Sequence, residues 1–159
     1  MRLIIIVILL GLFSAVIAQK QNIYQQTDKL ALQIPDSLAQ STAGIAGYIN
    51  SNFNNSTDKS RAAFIWIAKN IQYDVENMFA LNFAQNTAEI VEKVLKTRKG
   101  ICRHYAELFN DIARQTGIKT YVISGYTRQQ GYVDYLPHAW CAGLIDSAWY
   151  LFDPTWGSG

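Results

Sequence analysis

The 159-residue chain is half apolar and carries 14 basic against 12 acidic side chains, a formal charge of +2 with both histidines neutral. That composition suits one domain with its own core and excludes a disordered chain. The near balance of charge, with no run of one sign, gives no support to a nucleic-acid partner.

Met1-Arg2 leads into an apolar run from Leu3 to Phe13, followed by Ser14-Ala15-Val16-Ile17-Ala18. The run is short for a bilayer span, and Val16 and Ala18 supply the small residues that signal peptidase reads at minus three and minus one. Residues 1–18 are therefore expected to be a signal peptide cleaved after Ala18, giving a secreted or periplasmic protein. An uncleaved anchor is the alternative. Gln19 rather than Cys follows the cut, so a lipid anchor is not indicated. Loss of Arg2 leaves 13 basic and 12 acidic residues, a charge of +1.

Residues 19–57 read as a helical extension and 58–159 as the main domain. Within the extension, Leu38, Ile45, Tyr48 and Ile49 give a weak helical pattern over 37–50, with Pro35-Asp36-Ser37 as its start. The segment SNFNNSTDK, 51–59, reads as a loop. Asp58 is expected to cap the next helix, whose Ala62, Ile65 and Trp66 form one apolar stripe up to Asn70. Asn86-Thr87-Ala88-Glu89 has the form of a capping box ahead of Ile90, Val91, Val94 and Leu95, with an end near Lys96. From Cys102, the spacing of Tyr105, Phe109 and Ile112 predicts a longer helix stopped by Gly117. The period then changes. Lys119–Tyr126, His138–Ile145 and Ala148–Phe152 read as strands, the last two an antiparallel hairpin around Asp146-Ser147. Helices followed by strands indicate an α+β domain.

The candidate chemistry lies in GICRHY, LPHAW and LFDPTWG. A thiol attacks as thiolate, and a helix N-terminus stabilises that anion through free backbone N–H groups and the positive end of the dipole. Cys102 has that location. Strand alternation sets His138 and Trp140 on one face and Ala139 and Cys141 on the other. If Ala148–Asp153 pairs beside it, Asp153 can accept from the imidazole nitrogen not facing the thiol, completing a nucleophile, base and orienter. Singly, a lone cysteine is more often a small buried hydrophobe, a strand histidine structural, and Asp-Pro a turn. Their joint placement favours chemistry.

Two rivals use the same residues. Cys102, His104, His138 and Cys141 could supply zinc with two sulfur and two nitrogen ligands. Cys102 and Cys141 could instead form a disulfide in an oxidising compartment. Alternation turns Cys141 away from His138, which argues against zinc, and it opposes the disulfide by setting Cys141 on another face from the reactive side. The one-residue spacing of Cys102 and His104 spreads that pair around the helix. No metal or cofactor is therefore expected, and His104 reads as a surface or supporting group.

GICRHYAELF, then HAW, then the hydrophobic-Asp-Pro-Thr-Trp-Gly stretch resemble the core of the transglutaminase-like superfamily, most closely its bacterial and kyphoscoliosis-peptidase-like branch. WIAKNIQYD, Trp66 to Asp74, resembles the segment that precedes that core. The resemblance implies a papain-like α+β fold with the cysteine helix packed against an antiparallel sheet. It implies Cys102 as nucleophile, His138 as base and Asp153 as third member, acting on a protein or peptide amide through a thioester. Water then gives a protease or amidase, and an amine gives crosslinking. The oxyanion would be held by the Cys102 backbone N–H and a donor around Tyr73, with Trp140 flanking the substrate. Relatives commonly continue well past the aspartate, so the domain is read as open to truncation at its C-terminus. A non-catalytic module that keeps the fold and the three residues is the alternative reading.

Overall fold

The computed structural model describes residues 23–79, 85–129 and 131–158. The signal segment expected over 1–18 lies outside them. Among the described residues five α-helices come first: α1 (Gln25–Ala31), α2 (Thr42–Asn52), α3 (Ser56–Asn70), α4 (Thr87–Thr97) and α5 (Cys102–Gln115). Two two-residue strands, β1 (Gln72–Tyr73) and β2 (Lys99–Gly100), pair in parallel between them. An antiparallel sheet in the order β3 (Lys119–Gln129), β4 (Tyr132–Ile145), β5 (Ala148–Phe152) follows, and a 3-10 turn over Trp156–Ser158 ends the described chain. Among the described residues, no helix is long and apolar enough to cross a membrane.

Local chemistry explains most boundaries. The capping box before α4 forms in both directions: Glu89 N–H donates to Asn86 Oδ1 at 3.0 Å, and Asn86 N–H donates to Glu89 Oε2 at 3.3 Å. Gly117, at φ +89°, sits where a left-handed residue ends α5, and Gly117 and Ile118 N–H return to the Arg114 and Ala113 carbonyls, both at 3.0 Å. Asp146 and Ser147 both have positive φ, 46° and 70°, the condition for a tight two-residue hairpin that matches strand twist.

Two helix starts differ from expectation. α2 begins at Thr42 rather than near Ser37. Leu38 and Ala39 N–H close on the Pro35 carbonyl as a turn, Ser41 is extended, and its Oγ accepts from Gly44 N–H at 3.0 Å. α3 is capped by Asn55, whose Oδ1 accepts from Asp58 N–H at 2.7 Å. Asp58 stays inside the first turn, where its carboxylate takes Asn55 Nδ2 at 2.6 Å and Thr27 Oγ1 at 2.8 Å. β3 and β4 also run further toward each other than their propensities indicate, with a register irregularity between Tyr126 and Arg128.

The core is formed where α5 passes between the other helices and the sheet. Trp66, Tyr105, Phe109, Ile112 and Cys141 are buried there, and Phe109 stacks on Phe152 with ring centroids 4.9 Å apart. Burying each large apolar side chain contributes about 2–3 kcal/mol. Tyr105 keeps its hydroxyl satisfied by donating to the Ile71 carbonyl at 2.7 Å. This helix-on-sheet packing fixes the start of α5 against the middle of β4.

Candidate active site

The approach to α5 is set by Gly100. A Cβ there would come within 2.7 Å of His104 Cβ, so glycine lets the strand pass directly over the first helical turn. His104 Nδ1 accepts from Ile101 N–H at 3.2 Å, which satisfies the backbone just before the helix. Ile101 has no side-chain acceptor, so only this return half of a capping pair exists. Burial and the positive charges of Lys93 and Arg103 lower the His104 pKa. The imidazole read as a supporting group thus holds the helix entry.

Cys102 is the first residue of α5 and is half-buried. Burial is the largest single influence on its thiol and pushes the pKa up. A hydrogen bond with the His138 ring, backbone N–H groups of Ala139 and Arg103 and the His138 charge outweigh it, and the net shift is downward. β5 pairs with β4 only over Cys141–Ile145, so the edge of β4 at Ala139 is open to Cys102.

His138 Nε2 and Asp153 Oδ2 are 2.6 Å apart, which leaves Nδ1 for the thiol. The hydrogen bond to Asp153, followed by that to Cys102, raises the His138 pKa to about 9 against the opposing effect of burial. The two groups thus shift in opposite directions, the thiol down and the imidazole up, each favouring the charged form of the other. Asp153 lies just past the end of β5, and its other oxygen, Oδ1, accepts from Trp156 N–H at 3.2 Å.

The structure therefore brings Cys102, His138 and Asp153 into one line of contacts. Trp140 shares the His138 face of β4, its ring 6.0 Å from the imidazole and its Cη2 edge over Gly125, where a Cβ would approach to 2.7 Å. Tyr73 pairs with Gly100 and stands 6.4 Å from the Tyr105 ring. Its phenol pKa is raised by burial first and by the charge of Cys102 second. Cys141 is fully buried on the helix side and donates from Sγ to the Ala106 carbonyl at 3.1 Å, its pKa pushed far up mainly by burial. Both cysteines are free thiols.

Trp156 was not among the residues singled out from sequence. Its indole stacks 5.3 Å from the His138 ring, opposite its backbone hold on Asp153, and it is 59% exposed. Gly157 makes this possible, since a Cβ there would meet the Phe64 ring on α3 at 2.4 Å. The motif DPTWG contained the tryptophan, but only the fold-back of the terminal turn places it.

A cysteine helix on an antiparallel sheet, with a histidine from the sheet and an aspartate from the next strand end, defines a papain-like α+β domain with a thiol, imidazole and carboxylate in line. Residues 43–154 match the family model of the transglutaminase-like superfamily, and the chain belongs to that superfamily. It is 35% identical over 108 residues to kyphoscoliosis peptidase of Mus musculus, covering 64% of this chain and 16% of that protein. The match thus spans about a sixth of the curated relative. Among solved structures, a Cytophaga hutchinsonii protein proposed as a cysteine protease is 25% identical, with a TM-score of 0.55 over 84% of this chain and 39% of that one. The periplasmic domain of TgpA from Pseudomonas aeruginosa shares the fold at 23% identity and a TM-score of 0.59, over 83% of this chain and 48% of that one.

Proposed function

We propose that this chain is an exported cysteine-dependent enzyme that cleaves or transfers the acyl group of a protein or peptide amide. The observation that carries the reading is the contact line from Cys102 through His138 to Asp153, with the cysteine at a helix N-terminus. In the proposed reaction the Cys102 sulfur attacks the amide carbonyl carbon. The oxyanion is met by the Cys102 backbone N–H and by Tyr73. The C–N bond then breaks as His138 Nδ1 gives its proton to the departing amine, leaving a thioester. Water or a second amine, losing its proton to the same nitrogen, attacks the thioester and frees Cys102. Asp153 holds the ring orientation and stabilises the imidazolium throughout. Trp140 and Trp156 flank the imidazole and limit its access to water.

A non-catalytic module would have no need of a raised imidazole and a lowered thiol in contact, which favours the enzymatic reading. The test follows ammonia release from glutamine-containing peptides and cleavage of a general protein substrate, with and without a primary amine. Cys102→Ala is expected to abolish turnover and Cys141→Ala to leave most of it. Wild-type turnover by Cys102→Ala would defeat the proposal. Stimulation of product formation by the added amine would assign transfer over hydrolysis.

A further inference from the structure

A cleft of about 520 Å³ runs from Lys69 near the end of α3, past Arg98 and Lys99 in the segment that leads into Cys102, to Tyr73 on one wall and Ser158 on another. Tyr73 pairs with Gly100, two residues ahead of Cys102, and Ser158 closes the turn whose Trp156 stacks on His138. Among the described residues, three cations line this cleft and no carboxylate does. Among the described residues, the ion pairs are Arg61–Asp28, Arg103–Glu107 and His138–Asp153, so none of the three cations is neutralised that way. Arg98 passes its guanidinium over Trp66 at 5.1 Å and donates from Nη2 to the Ala39 carbonyl at 3.0 Å, while Nη1 is buried with no hydrogen-bond partner.

Basic residues at helix C-termini ordinarily answer the dipole, and both α3 and α4 end here. The carbonyls at those ends are already engaged inside the fold. Trp66 O accepts from Asn70 Nδ2 at 2.8 Å, Ile67 O from Ile71 N–H at 3.0 Å, and Val94 O from Arg98 N–H at 2.8 Å. The side chains of Lys69 and Lys99 are left exposed at the rim. In a chain with a formal charge of only +2, this is a local excess of positive potential, with Lys99 three residues ahead of Cys102 in the chain.

We infer that this cleft receives an acidic side chain of the peptide substrate, close in sequence to the residue whose amide is attacked. The inference rests on the amide-cleaving or acyl-transferring reading of the site.

The test uses the full chain carrying Cys102→Ala, titrated by fluorescence anisotropy with three glutamine peptides flanked by Glu, Ser or Lys. At low salt the Glu peptide should bind about tenfold more tightly than the Lys peptide, with the gap narrowing as salt screens the charges. Lys69→Glu with Lys99→Glu should invert the order, after thermal unfolding has shown the fold to be intact. If that pair does not fold, Lys69→Gln with Lys99→Gln should erase the preference without inverting it. Equal binding of all three peptides, or a Glu preference that survives the lysine substitutions, overturns the inference. Turnover of the same peptides by the unsubstituted protein separates the two readings. Charge-ordered binding without turnover upholds the subsite and refutes the reaction, and turnover with no charge order in binding refutes the subsite alone.

Discussion

At the scale of single residues, the decisive feature is how two side chains alter each other's proton affinity. Cys102 lies below the ordinary thiol value of 9, while His138 lies above the ordinary imidazole value of 6.5, at about 9. As pH rises, Cys102 ionises before a free thiol would, and the imidazolium persists until about 9. Activity and iodoacetamide labelling of Cys102 should therefore rise at a pH below that of free cysteine, and activity should fall again near pH 9 as the imidazolium loses its proton. These limbs belong to the pair rather than to either residue alone. Asp153→Asn removes the largest influence raising His138, so its alkaline limb should move down toward 6.5. Unchanged limbs in that variant would contradict Asp153 as the orienting group. The same shift acts on stability. A raised folded-state pKa gives stabilisation that is complete below 6.5 and fades as pH climbs through about 9.

At the scale of elements, the cysteine helix depends on how β2 delivers the chain to it. Gly100 pairs with Tyr73 and passes within van der Waals limits of His104, whose Nδ1 holds Ile101 N–H. Gly100→Ala would drive its new methyl into His104 Cβ, an atom fixed to the helix backbone rather than the end of a flexible side chain. The substitution should cost about 1–3 kcal/mol in urea unfolding, the range for overpacking. It should also slow Cys102 alkylation at neutral pH by tilting the first turn of α5 away from His138 and the Ala139 N–H. Alkylation at the parent rate in a folded Gly100→Ala protein would show that this crossing does not position the thiol. Cysteine-helix periodicity was legible in sequence because Tyr105, Phe109 and Ile112 all face the core. The cap of α3 was not, since Asn55 and Asp58 can both cap and only the local chain path assigns Asn55 that role.

At the scale of the whole molecule, the site joins distant segments. The β1–β2 pair sets Tyr73 opposite Gly100, α5 begins at Cys102, β4 carries His138, and the terminal turn is pinned on α3 by Gly157 against Phe64. The apolar run that opens the chain belongs to this scale too, because it would decide in which compartment the protein works. Expression in a secreting host should yield a product whose mass begins at Gln19, and a product retaining residues 1–18 would replace export with anchoring.

By itself, the sequence determined the α+β order, the helix that begins at Cys102, the hairpin around Asp146 and Ser147, and the face shared by His138 and Trp140. Each rests on a short-range rule: a 3.6- or two-residue period, a capping residue, or a glycine at positive φ. Tertiary structure alone decided that Nε2 of His138 meets Asp153, that Trp156 stacks on the imidazole, that Tyr73 pairs with Gly100 just ahead of Cys102, and that, among the described residues, Lys69, Arg98 and Lys99 share a cleft without carboxylates. Those relations join residues far apart along the chain, and their distances come from the packing of α5 against the sheet. Local periodicity fixes the direction in which a side chain leaves its own element, but it carries no information about which distant element lies in that direction.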